Sequence, residues 1–196
     1  MHRVLTTADH HRMPWRNGGG TTTEIATYPP RAALDAFDWR VSVADVSADG
    51  PFSRLPGIDR VLLLIAGAGI RLTGDGHDVE LRAAYEPYAF RGDDAIDGRL
   101  VDGPVRNFNV MLRRGRARAT VAVVRAAGER IPPAPHRLCY AAAGRHECVR
   151  PGHPPQTVAA GEALLIVADA ADPALPFAVN PLGADAVALV VAIECP

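Results

Sequence analysis

The chain contains no lysine: all 21 of its basic residues are arginine. That single absence removes the Schiff-base nucleophile, the pyridoxal-phosphate anchor and the P-loop lysine. Serine is nearly as scarce. Ser42, Ser47 and Ser53 are the whole complement, and none stands in a G-x-S-x-G elbow, which argues against a standard α/β-hydrolase. Three cysteines (Cys139, Cys148 and Cys195) are odd in number and lack a framework spacing. They read as buried small hydrophobes in a reducing compartment. The longest apolar run, Val61 to Ile70, includes two glycines and is too short to span a bilayer. Met1 to Arg12 carries no apolar segment of the secretory type. A cytoplasmic protein with no membrane partner is expected. Nor is there an excess of positive charge: 21 basic against 22 acidic residues leave a net charge of −1, so no nucleic-acid partner is expected.

What the chain does have is punctuation. Seventeen prolines and 18 glycines interrupt it at short intervals, which leaves little room for long helices. Between them lie short apolar stretches rich in β-branched residues: Trp39–Val46, Arg60–Ile65, Ile70–Thr73, Val79–Leu81, Phe108–Leu112, Thr120–Arg125, Ala163–Val167 and Ala186–Ile193. In the first of these, Trp39, Val41 and Val43 share one face while Arg40, Ser42 and Ala44 share the other. Many short strands with frequent turns predict an all-β sandwich or barrel. Arg31–Phe37 is expected to supply a turn or two of helix. A weak internal repeat links Leu62–Phe90 to Leu138–Val167, each reading strand, glycine turn, strand, loop and a further strand pair. The expectation is two small jelly-roll-like β-barrels, roughly residues 1–118 and 119–196, with an exchange of terminal strands left open.

The seven histidines contain no H-x-H pair, and His146 with His153 matches no standard ligand spacing, so neither a metal nor another cofactor is expected. Trp15-Arg16-Asn17-Gly18-Gly19-Gly20 is the most unusual segment. Successive glycines allow backbone N–H groups to form an anion-holding nest beside a flat indole wall, or simply a tight loop between strands. Asp59 and Arg60 precede the strongest apolar strand. They form either a solvated pair or a site where Arg60 enters the barrel mouth to clamp a carboxylate. Asn107, Asn109, Met111 and Arg113 share one face of a strand, and asparagine is depleted in strands unless something uses its amide. Arg114, Arg116 and Arg118 read as a solvated edge. Apart from that arginine edge, every motif with a polar face falls before residue 115, whereas the second half offers mainly Ala, Val, Leu and Pro.

Taken in order, Met13–Ala26 (MPWRNGGGTTTEIA), Trp39–Ala44 (WRVSVA), Gly50–Arg60 (GPFSRLPGIDR) and Asn107–Arg114 (NFNVMLRR) resemble the HutD/Ves family. The resemblance covers residues 13–114 and implies a bicupin fold. It further implies an association with histidine utilisation, in which the family is thought to bind an anionic intermediate such as N-formylglutamate or urocanate and to temper flux. No catalytic activity comes with it. Such a ligand needs a guanidinium clamp, amide groups and an aromatic wall. Trp15, Asn17, Arg40, Ser42, Arg60 and Asn109 are of these types, and Arg40 and Ser42 are expected to face inward. Three readings stand: a metal-free bicupin binding a small anionic metabolite; a metal-independent isomerase or amidohydrolase using Glu24, Asp59 or a histidine as base; and a purely structural or interaction protein. Homodimerisation is left open.

Overall fold

The structure is a computed structural model, which describes residues 2–168 and 175–195. Every regular element among the described residues is a β-strand. The chain divides into two compact units: His11–Arg116, and the residues up to His10 together with those from Ala117 onward.

Ten strands build the 11–116 unit, the first of the chain, β1 (His2–Leu5), belonging to the other. They are β2 (His11–Pro14), β3 (Gly20–Tyr28), β4 (Trp39–Val46), β5 (Gly50–Pro51) and β6 (Ile58–Ala66). After them come β7 (Ile70–Gly74), β8 (His77–Leu81), β9 (Pro87–Arg91), β10 (Asp97–Leu100) and β11 (Val105–Arg113). A six-stranded sheet runs β2-β3-β4-β11-β6-β9 and a four-stranded sheet runs β5-β10-β7-β8, all antiparallel. Leu62, Leu64 and Phe90 of the first sheet pack with Ile70, Leu72 and Leu81 of the second in one core. On the opposite face of the large sheet, Trp39, Val41, Phe108 and Val110 are also fully buried. Burial on both faces is worth about 1.5–3 kcal/mol for each large apolar side chain and fixes the strand register, since a slip of one residue would exchange the faces.

Two glycines set this geometry. Gly67, at φ +100°, opens the β6–β7 turn where a Cβ would stand 2.6 Å from the Pro104 carbonyl. At Gly98 a Cβ would stand 2.7 Å from the Phe52 ring, so the missing side chain lets that ring lie flat on β10. The helix expected over Arg31–Phe37 is absent. Arg31, its first residue, sits at φ +63° in the left-handed region, and the backbone closes only two isolated turns, Ala32 N–H to Pro29 and Ala36 N–H to Ala33.

The second unit contains β1, β12 (Arg118–Val124), β13 (Glu129–Ile131), β14 (His136–Ala143), β15 (Arg145–Val149) and β16 (Gln156–Ala159). It is completed by β17 (Ala163–Val167), β18 (Phe177–Pro181) and β19 (Val187–Glu194). Its sheets run β1-β17-β14-β19-β12 and β13-β18-β15-β16, enclosing Cys139, Cys148, Leu164, Phe177 and Val190. Its interior is not purely apolar: Arg137 and His146 are fully buried there. Arg137 donates to the Leu175 carbonyl and lies 5.5 Å from the centre of the Phe177 ring. Each unit is thus a jelly-roll-like pair of facing sheets with open edges rather than a closed barrel.

Candidate functional site

Residues directly opposite one another on neighbouring strands share a face, and β11 lies between β4 and β6. Its Asn109 is opposite Ser42 on β4 and Leu62 on β6; Met111 is opposite Arg40 and Arg60. Across β4, Ser42 is opposite Glu24 of β3, and across β6, Arg60 is opposite Phe90 of β9. A bulge between Glu24 and Ala26 leaves Ile25 out of the pairing and keeps Glu24 on the inner face. A polar band therefore crosses the inner face of the large sheet: Glu24, Arg40, Ser42, Asn109 and Arg60, with Asn107 one row further along β11.

The charges in this band are unequally satisfied. Arg40, 6% exposed, donates from Nε to the Glu24 carboxylate at 2.6 Å. Arg60, 5% exposed, has no carboxylate partner among the described residues. Its Nη2 donates to Asn109 Oδ1 at 3.0 Å, and its guanidinium carbon lies 4.8 Å from the centre of the Phe90 ring and 5.4 Å from that of Phe52. Its Nε has no hydrogen-bond partner among the described residues. Burial, and secondarily the positive charge of Arg40, push the Arg60 guanidinium down to about 10. Two guanidinium groups and one carboxylate leave this interior one positive charge in excess, held between aromatic faces and an amide.

Of the six residues singled out from the sequence, Arg40, Ser42, Arg60 and Asn109 come together here. Trp15 packs against the same core from beyond β3, donating its indole N–H to Thr22 Oγ1 at 2.8 Å. Asn17 does not join them. It is exposed and its Oδ1 accepts from the Gly19 N–H at 3.1 Å, while the Gly18 N–H bonds the Trp15 carbonyl. The glycine loop spends those two N–H groups on its own closure, so it makes a tight connection rather than an anion nest. An open groove of about 350 Å³ beside it, lined by Thr21, Asp45 and Arg106, faces away from the polar band and contains an Asp45–Arg106 ion pair at 2.6 Å. Asp59 points outward to Arg114, at 2.6 Å, which leaves Arg60 alone as the inward member of that dipeptide. Arg116 and Arg118 pair with Asp38 and Glu194 at 3.3 and 3.0 Å.

Sequence reasoning missed the aromatic floor, the role of Glu24 as a counter-ion, and a neighbouring triad. His77 Nε2 lies 3.0 Å from Asp94 Oδ2 and Nδ1 lies 2.7 Å from the Tyr88 hydroxyl. With the carboxylate accepting, Nε2 carries the proton and the Tyr88 hydroxyl donates to Nδ1. The Tyr88 ring stacks at 6.1 Å on Phe90, so this triad ties the edge of the small sheet to the floor beneath Arg60.

These facing-sheet units, one of them with a cationic band inside, define a cupin-like two-unit protein. A solved Bacillus subtilis oxalate decarboxylase with Mn(II) centres shares the fold at a TM-score of 0.64 over 98% of this chain and 76% of that one, at 10% identity. The family follows from nearer relatives: the HutD family model matches residues 7–183, and the chain belongs to that family. A solved HutD from Pseudomonas fluorescens SBW25 is 30% identical over 100% of both chains with a TM-score of 0.85. An uncharacterized 21.2 kDa protein in the hutC 3′ region of Pseudomonas putida is 38% identical over 60% of this chain and 61% of its own length. Protein Ves of Cronobacter sakazakii is 39% identical over 59% of this chain and 64% of its own. The chain thus spans about three-fifths of the length of the curated relatives it matches.

A metal of the kind that the decarboxylase holds does not fit these residues. Among the described residues no three His, Cys, Asp or Glu side chains gather, and the inner face presents two guanidinium groups, which repel a cation. His146 and His153 do not form a ligand pair either: His146 is buried in β15, while the His153 ring packs edge-on to His2 at 4.6 Å. Among the described residues no helix is long and apolar enough to cross a membrane.

Proposed function

We propose that the protein binds a small anionic metabolite on the inner face of the 11–116 unit and through that binding regulates histidine utilisation in the cytoplasm. The observation that carries this reading is Arg60, a buried guanidinium with an unpaired Nε and no carboxylate of its own. A buried cation is costly unless an anion compensates it. A carboxylate on the Arg60 fork supplies that compensation, with Ser42 and Asn109 beside it and Phe52 and Phe90 as the wall. The pairing of Arg40 with Glu24 leaves the Arg60 guanidinium as the one free to take a carboxylate of the ligand. The hut-region relative supports an intermediate of histidine breakdown as the metabolite, N-formylglutamate and urocanate being the candidates. The test is a calorimetric and thermal-shift titration of both compounds, with their uncharged amides as controls. At a hundredfold excess over Kd the stabilisation is about 2.7 kcal/mol. Stabilisation by neither acid, or equally by acid and amide, refutes the reading.

A further inference from the structure

The polar band contains a residue that anion binding does not use. Asn107 is 1% exposed on the inner face of β11, opposite Ala44 and Leu64, and neither its Oδ1 nor its Nδ2 has a hydrogen-bond partner among the described residues. A buried amide with both ends unpaired is rare in a folded interior, because each end has given up its water. Its own neighbours cannot repair this, since Ala44 and Leu64 offer only hydrocarbon.

Resting on the anion-binding reading of Arg60, we infer that Asn107 is a specificity-determining residue that selects, among small carboxylates, those that carry an amide or a lactam towards their other end. The chemistry of the residue sets that class. An asparagine side chain presents one acceptor and one donor on a single edge. The edge complementary to it carries a donor and an acceptor side by side, as a primary carboxamide or a lactam does. Position sets the length. Asn107 and Asn109 are two residues apart on one strand face, about 6.8 Å, and Arg60 Nη2 sits on Asn109 at 3.0 Å. A carboxylate on the Arg60 fork therefore lies one row from the Asn107 amide, a distance that two or three methylene carbons span. Glu24, with its side chain 21% exposed, is the most open member of the band and marks the side from which such a ligand enters.

Succinamate and levulinate make the test, since they are the same size and differ only in carrying NH2 or CH3 beside the ketone-like oxygen. Titrated into the whole protein by calorimetry, succinamate is expected to bind at least about tenfold more tightly than levulinate. In Asn107→Leu, whose folding is checked by its melting transition, both compounds are expected to bind alike. Arg60→Gln is expected to lose both. Equal binding of the two compounds by the parent protein overturns the role of Asn107 and leaves the anion site standing. A preference that survives in Asn107→Leu overturns it as well. Binding of neither compound by the parent protein refutes the Arg60 site and this inference together.

Discussion

Replacing Arg60 by methionine separates binding from stability. Burial and the neighbouring Arg40 charge push the guanidinium down to about 10; against the ordinary arginine value this is a penalty of about 3 kcal/mol on the charged form. Methionine, of similar length and fully apolar, removes that penalty. It also removes the bond to Asn109, worth about 1 kcal/mol, and two ring contacts worth about 1–2 kcal/mol together. The balance for the ligand-free protein lies between about zero and 1 kcal/mol of stabilisation. Arg40→Met behaves oppositely, because it strands the Glu24 carboxylate on the same face and costs about 1–2 kcal/mol. Both tryptophans, Trp15 and Trp39, lie in the 11–116 unit, so urea unfolding followed by their fluorescence reports that unit. A loss of about 3 kcal/mol or more in Arg60→Met would show that Arg60 is neutralised within the fold and would refute the reasoning.

Three further outcomes follow from the same contacts. Burial lowers the pKa of His146, so the folded state resists the proton that the unfolded chain accepts as pH falls below about 6.5; stability is complete above that pH and lost below it. His146→Leu, which removes two unpaired ring nitrogens, is expected to raise stability by about 1–2 kcal/mol and to flatten the decline between pH 7.5 and 5.5 in urea titrations. Gly67→Ala places a methyl 2.6 Å from the Pro104 carbonyl at φ +100° and is expected to cost about 3 kcal/mol or more, read as a lowered midpoint of unfolding. Arg116→Ala and Arg118→Ala, which break exposed ion pairs, are expected to change stability by less than about 0.5 kcal/mol and ligand affinity not at all, by urea unfolding and calorimetry.

The strands of the 11–116 unit were legible because alternation and turn residues agree: β4 spans Trp39–Val46, the stretch whose faces separate Trp39 and Val41 from Arg40 and Ser42. That same alternation brought Arg40, Ser42, Arg60 and Asn109 to one face. Glu24 was harder, since the bulge at Ile25 breaks the count of two that alternation relies on. Phe52 reaches the site from a loop resting on Gly98, a contact with no periodic signal. His77, Tyr88 and Asp94 come from the edges of two sheets, and only the folded arrangement assembles them. In the second half, no motif marked Arg137 and His146, which stand beside an alanine-rich run, as interior residues. They are buried because β14 and β15 turn those positions inward, opposite neighbours that are themselves in the core. Asn17 had the right chemistry for a ligand, but a side chain that caps its own loop does not reach the interior.

The most direct measurement of the central claim is the Nε–H resonance of Arg60 in an arginine-labelled nitrogen–proton spectrum, recorded as N-formylglutamate or urocanate is added. The Nε of Arg60 is unpaired in the ligand-free protein, so a carboxylate arriving on the fork gives it its first acceptor. A downfield shift of this proton with slowed exchange, saturating at one equivalent and absent in Arg60→Met, is the predicted result. Calorimetric binding of the metabolite with the Arg60 resonance unmoved would contradict the account.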